Sequence, residues 1–297
     1  MPRTKVNEIE LEYETFGDSD DPPLLLVMGL GAQMISWDDD FCEALVGRGF
    51  YVIRFDNRDV GLSSKVEAGE IDIVATAMAA FSGEDVLAPY LLSDMGDDAW
   101  GLLDSLGIDR VHLVGASMGG MIAQTMATQQ PARVLSLTSI MSMTGERGYG
   151  EPDPSVVPLL LERPPSERDA AIENSVEGSR LIGSPDYFDD ERARDRAARA
   201  YDRSFYPRGV GHQLCAVLAS GSRDEALRSL DVPTLVIHGT VDPLVSPSGG
   251  EHTAECIQGS ELLMLEGMGH DLPVHFWSQV IDAICSVAAR AEAASEA

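Results

Sequence analysis

The 297-residue sequence predicts an α/β fold: a mainly parallel sheet with helices on both faces, interrupted once by a helical insertion. Three observations predict it. The run PPLLLVMG (22–29) is continuously apolar, as in a strand covered on both faces, and YVIRFDN (51–57) and PTLVIHG (233–239) read as further strands. Segments with helical spacing of apolar residues separate them. Between Met143 and Leu230 the alternation stops, and no strand pattern occurs.

The elements follow in order. EIELEYETFG (8–17) alternates apolar and polar residues and is expected as an edge strand. After the strand at 22–29, DDDFCEALVGRG (38–49) has helical spacing, and the strand at 51–57 follows. A long connection leads to a helix in SDMGDDAWGLLDSLGI (93–108), opened by a Ser or Asp cap. VHLVGASMGGMIAQTMA (111–127) begins as a strand and ends as a helix, and ARVLSLTSIMS (132–142) reads as the next strand. In the insertion, the stretch 145–167 is rich in Pro and Gly, 189–205 is a highly charged helix and 209–222 a more apolar one. After the strand at 233–239 come a helix near GGEHTAECI, a strand in ELLMLEG (261–267) and a closing helix in HFWSQVIDAICSVAARA. The expected division is a core of 1–142 and 231–297 and a helical cap of 143–230, placed over the carboxyl ends of the strands, where open α/β sheets bind ligands.

Charge narrows the partners. There are 49 acidic and 21 basic residues, for a net charge of −28, and only Lys5 and Lys65 are lysines. Such a surface repels nucleic acid and anionic membranes. It is read either as adaptation to high salt, where screening removes the self-repulsion, or as an acidic surface from a lysine-poor proteome. No stretch reaches the roughly 18 apolar residues of a membrane span, and the opening residues lack the apolar core of a signal peptide, so a cytoplasmic protein is expected. Cys42, Cys215, Cys256 and Cys285 show no C-x-x-C spacing. Buried thiols are expected rather than disulfides or zinc.

The chemistry is read from one corner. Gly115-Ala116-Ser117-Met118-Gly119 joins a buried strand to an amphipathic helix. That context turns a weak G-x-S-x-G match into a nucleophile elbow, with the hydroxyl raised above the sheet beside free helix N–H groups. A serine needs a base to take its proton. In this arrangement an acid and then a histidine follow the serine in the chain. Asp242 stands just past the strand after the insertion, and His270 lies on a Gly-rich loop past the last strand. Of the other histidines, His112 and His238 are expected as core or supporting residues, and His252 and His275 at the surface of helices. His212 is a residue of the insertion that could touch substrate. Asp271 adjoins His270 too closely in sequence to reach its far nitrogen. Backbone N–H groups of Met118 and Leu30 are the expected oxyanion donors. Met28, Met34, Trp37, Met141, Met143 and Met268 cluster near the strand ends, as either an apolar substrate pocket or ordinary core.

With these pieces the chain resembles an α/β-hydrolase over essentially its full length. LLLVMGLGAQMISWDDDFCEAL, VIRFDNRDVGLSS, VHLVGASMGGMIAQ, VIHGTVDPLVSP and LEGMGHDLP resemble a group of actinobacterial carboxylesterases. That group includes the mycobacterial LipG type and, more distantly, aclacinomycin methylesterase. The resemblance implies a triad of Ser117, Asp242 and His270, with Leu30 and Met118 at the oxyanion positions. The usual His-Gly at the oxyanion strand is Met28-Gly29 here, which leaves the backbone donor intact. The expected activity is hydrolysis of short- to medium-chain soluble esters through an acyl-enzyme, with neither metal nor organic cofactor. A methylesterase for a bulky natural product, a cofactor-free perhydrolase or haloperoxidase, and a slow-turnover ligand receptor are the alternatives. The oligomeric state is not expressed in the sequence.

Overall fold

The computed structural model describes residues 2–69 and 71–295. Eight strands form one sheet: β1 (Arg3–Val6), β2 (Ile9–Phe16), β3 (Pro23–Val27), β4 (Tyr51–Phe55), β5 (Val111–Ala116), β6 (Val134–Ile140), β7 (Thr234–Gly239) and β8 (Glu261–Leu265). Their spatial order is β1-β2-β4-β3-β5-β6-β7-β8. The pairs β1–β2 and β2–β4 are antiparallel, and all others are parallel. The 8–17 segment is therefore not the edge. β1 covers it, a four-residue strand whose RTKV sequence is too short and polar for any periodicity to show.

Strand alternation divides the apolar side chains between two cores. Leu25 and Val27 of β3, Ile53 and Phe55 of β4, and Leu113 of β5 face one core. It is closed by α3 (Leu92–Ser105) and α4 (Met118–Gln129). Leu24, Leu26, Val52, Val114 and Ile237 face the other, closed by α1 (Asp39–Val46) and α11 (Val274–Ser295). On α11, Phe276, Val280, Ile281, Ile284, Val287 and Ala288 recur at three- and four-residue steps, which lays one stripe on the sheet. Full burial of each large side chain contributes about 1.5–3 kcal/mol, so both layers hold the strand ends firmly. An additional helix, α2 (Ile73–Ser82), lies in the long connection before α3. Its sequence IVATAMAAFS is apolar all round and carries no period.

Between β6 and β7 lie α5 (Val157–Leu161), α6 (Arg168–Ile182), α7 (Asp190–Arg203), α8 (Pro207–Ala219) and α9 (Asp224–Arg228), with no strand among the described residues. After β7 comes α10 (Ser248–Cys256). Helices α6 and α7 enclose a small core of Ile172, Val176, Ala193 and Ala197. This helical segment is tied to the sheet by buried polar contacts. Arg203 donates to Asp56 at 2.6 Å, just past the end of β4, and His212 Nδ1 lies 2.9 Å from Asp59. A buried carboxylate is retained only with such partners, because leaving it unpaired is costly.

Candidate active site

Ser117 sits between β5 and α4 at φ 55° and ψ −123°, a conformation that costs a non-glycine residue about 1–3 kcal/mol. Its neighbours are glycine for steric reasons. A Cβ on Gly119 would lie 2.1 Å from the Val27 carbonyl oxygen, and one on Gly115 would lie 2.1 Å from the Gly119 oxygen. The surroundings hold the strain in place: Ser117 N–H donates to Ile140 at 2.9 Å, and the Ser117 carbonyl accepts from Gly120 N–H at 2.9 Å and from the Ser142 hydroxyl at 2.8 Å. We expect Gly119→Ala to cost about 3 kcal/mol or more, because only backbone can yield. A thermal scan should show the midpoint lowered by about 6–12 °C.

Asp242 is buried in the turn after β7. Its Oδ1 accepts the N–H groups of Leu244 and Val245, both at 2.9 Å, while Oδ2 lies 2.7 Å from His270 Nδ1 and 3.5 Å from His238 Nε2. A carboxylate only accepts, so the Nδ1 proton of His270 is directed to it. The other ring nitrogen, Nε2, lies 2.9 Å from Ser117 Oγ. The three predicted residues, 125 and 28 positions apart in the chain, thus form one hydrogen-bonded line. Burial alone would raise the Asp242 carboxyl, but the imidazoles of His270 and His238 outweigh it and hold it at about 2.

That depression has a consequence for stability. In the unfolded chain the group titrates near 4. Its contribution, about 2 kcal/mol, is complete above that pH and is lost as the pH falls through about 2. Urea midpoints from pH 5 to 2 should therefore fall more steeply for wild type than for Asp242→Asn.

The loop carrying His270 is clamped from the helical segment. His270 N–H donates to Ile182 at 2.7 Å, and Gly269 N–H donates to Ser184 Oγ at 2.9 Å. Asp271 accepts from Ser184 N–H at 3.0 Å, which holds its carboxylate on the side of Ser184. The β3 end is held similarly. Asn57 donates to the Met28 carbonyl at 2.9 Å, and Gly31 N–H donates to Gln213 Oε1 at 2.8 Å, while Gln213 Nε2 donates to the Arg58 carbonyl at 2.8 Å. Among the described residues the N–H groups of Leu30 and Met118 meet no protein acceptor. Gln213, Asn57 and Ser184 were not singled out in the sequence, because their contacts depend on pairings that only the fold creates.

Ser117 and His270 open into a cavity of about 1010 Å³. Met28, Leu30, Trp37 and Met141 line it from the sheet side, and Leu159, Ile182, Phe188 and Val210 from the helical segment. Three of the pocket expectations require correction. Met34 and Met268 are fully buried away from the cavity wall, and Met143 packs against the core on the α3–α4 face. Met34 is drawn in by its N–H bond to Asp56 at 2.8 Å. His212 also lines the cavity, but its ring is buried and held by Asp59. His112 is a core residue bonded to Ser136 at 2.8 Å, and burial pushes it down to about 4. His275 is exposed and stacks on Tyr187, whereas His252, expected at the surface, is buried beneath Tyr149. The cysteines are free thiols; Cys42, Cys215 and Cys256 are buried and Cys285 is partly exposed.

A mainly parallel sheet with a strained serine corner, crossed by a Ser–His–Asp line at the strand ends, defines an α/β-hydrolase. Residues 22–274 match the family described as alpha/beta hydrolase fold, and the chain belongs to it. It is similar to rhodomycin D methylesterase DnrP of Streptomyces peucetius, with 30% identity over 94% of this chain and 95% of that protein. It is also similar to 3-oxoadipate enol-lactonase 2 of Acinetobacter baylyi, at 25% identity over 87% of this chain and 86% of the relative. The crystal structure of the enol-lactonase from Burkholderia xenovorans LB400 shares the fold, with a TM-score of 0.74, 22% identity and coverage of 96% and 99% of the two chains. Among the described residues no helix is long and apolar enough to cross a membrane.

Proposed function

We propose that this protein is a serine carboxylesterase working through an acyl-enzyme. The carrying observation is the line from Asp242 through His270 to Ser117, with spacings of 2.7 and 2.9 Å, opening into the cavity. His270 Nε2 takes the Ser117 proton as Oγ attacks the ester carbonyl. The Leu30 and Met118 N–H groups receive the oxyanion. His270 then protonates the leaving alcohol and activates water against the acyl-enzyme, while Asp242 orients the ring and stabilises its charged form. Residues 143–230 act as a cap: they roof the cavity and hold the His270 and Leu30 loops.

A cavity of about 1010 Å³ lies at the upper end of the range for small-molecule sites. It favours esters with one bulky partner, and the similarity to a methylesterase points the same way. The test is hydrolysis of p-nitrophenyl esters of increasing chain length and of methyl esters of polycyclic acids, with mass spectrometry after a fluorophosphonate probe. We expect steady turnover, stoichiometric labelling of Ser117 and faster release from the bulky methyl esters. A burst followed by a stall would instead mark a receptor, and labelling elsewhere would remove Ser117 from the mechanism.

The Gln213 bond fixes the loop that carries the Leu30 donor. Gln213→Leu should lower kcat by about 10²-fold, the cost of displacing a positioned group by an ångström. KM should change little, because Gln213 does not line the cavity. Parallel loss of kcat and of affinity for a boronic-acid transition-state analogue would confirm the positioning role.

A further inference from the structure

Outside the cavity, Asp224, His252 and Cys256 bring three ligand atoms within 4.8 Å of one another. His252 and Cys256 lie one turn apart on α10, so both project from the same face. Asp224 opens α9. His252 Nε2 is 2.7 Å from Asp224 Oδ2 and 3.5 Å from Cys256 Sγ.

The arrangement does not suit proton relay. In a relay the acid and the nucleophile occupy opposite nitrogens of the imidazole. Here both converge on Nε2, while His252 Nδ1 is buried with no hydrogen bond. Convergence of a thiol, an imidazole nitrogen and a carboxylate oxygen on one point is the donor pattern of a borderline-soft cation. Tetrahedral zinc, at about 2.0–2.1 Å from N and O and about 2.3 Å from S, sets its donors roughly 3.3–3.7 Å apart. The Sγ–Nε2 separation is already there, and Asp224 Oδ2 needs to withdraw by about 0.6 Å or slightly more from Nε2.

The surroundings prepare the imidazole as a ligand. The Tyr149 ring stacks on His252 at 3.7 Å and 6°, fixing its plane. Glu255 Oε2 stands 3.8 Å from Nδ1, placed to take its proton as an outer carboxylate once Nε2 is occupied. Asp224 Oδ1 is a second buried acceptor without a hydrogen bond. The Asp224 side chain is partly exposed, which leaves an access path. The nearest opposing charge, Arg228 at 3.6 Å from Oδ2, is itself more than half exposed and free to turn into water.

We propose that Asp224, His252 and Cys256 form a binding site for a divalent cation of the zinc type, with the fourth position open to water on the Asp224 side. Binding exchanges the Cys256 thiol proton for the metal–sulfur bond and releases that proton to solvent. Because the thiol must give up that proton, affinity rises with pH. Occupied, the site pins α9, the last helix before β7, to α10, the first after it.

The experiment is titration of the reduced, chelator-treated full chain with zinc chloride by calorimetry, alongside cobalt(II) absorption spectra. One equivalent should bind, the cobalt complex should show a thiolate charge-transfer band, and the thermal midpoint should rise with zinc. Cys256→Ser and Asp224→Asn should each weaken binding by more than about 100-fold, with midpoints near wild type in the absence of metal. Ser117→Ala, which leaves this cluster untouched, should bind as wild type does. Absence of stoichiometric binding, a cobalt spectrum without sulfur, or full affinity in Cys256→Ser would each overturn the proposal.

Discussion

Ser117→Ala should lower kcat on every ester the wild type cleaves by about 10⁶-fold, the loss expected when the nucleophile of a working triad is removed. His270 then has only water to activate, and its Nε2 is aimed at the empty Oγ position. KM should stay within a few fold, since the cavity walls are untouched. Stability separates this variant from a second one. Alanine inherits the φ of 55°, so Ser117→Ala should melt close to wild type. Ser117→Gly should be equally inactive but relieved of about 1–3 kcal/mol of strain, with a midpoint raised by about 2–12 °C. Equal midpoints for the two variants would mean that the corner stores no strain.

The sheet was legible wherever strands are buried on both faces, because Leu24–Val27, Val52–Phe55 and Leu235–Ile237 leave no polar residue to confuse the pattern except Arg54. It failed at the margin. β1 gains its strand character by pairing with β2, and α2 gains its place by packing on α8, where Ile73 meets Gly211. Neither signal lies within the element itself. At the site, the positions of Ser117, Asp242 and His270 were readable because each stands directly beyond a recognisable strand. The supports were not. Ser184 reaches Asp271 across 87 residues and Gln213 reaches Gly31 across 182, distances over which no local pattern operates. The methionines show the same limit. Proximity to strand ends brought Met28 and Met141 to the cavity wall, whereas backbone direction turned Met34 and Met268 into the interior.

Asp242→Asn should lower kcat by about 10⁴-fold, and the reason lies in how the carboxylate divides its two oxygens. Oδ1 is held by the N–H groups of Leu244 and Val245, so an amide in its place must keep its oxygen there. Its NH₂ then faces His270 Nδ1, which must turn acceptor, and the ring proton moves to Nε2. That proton points at Ser117 Oγ, and the imidazole no longer accepts from the hydroxyl. The reverse flip fares no better, because it sets NH₂ against two backbone donors. His238 sharpens the conflict: its Nε2 donates to the Val245 carbonyl at 2.8 Å and, 3.5 Å from Oδ2, faces the same amide donor. Phosphonylation of Ser117 should slow in parallel with kcat, while KM stays near wild type. The His270 ring has other restraints, since its loop is clamped by Ile182 and Ser184. A loss smaller than tenfold would assign orientation to that clamp; a loss near 10⁴-fold assigns to Asp242 the choice of tautomer, which a backbone clamp cannot make.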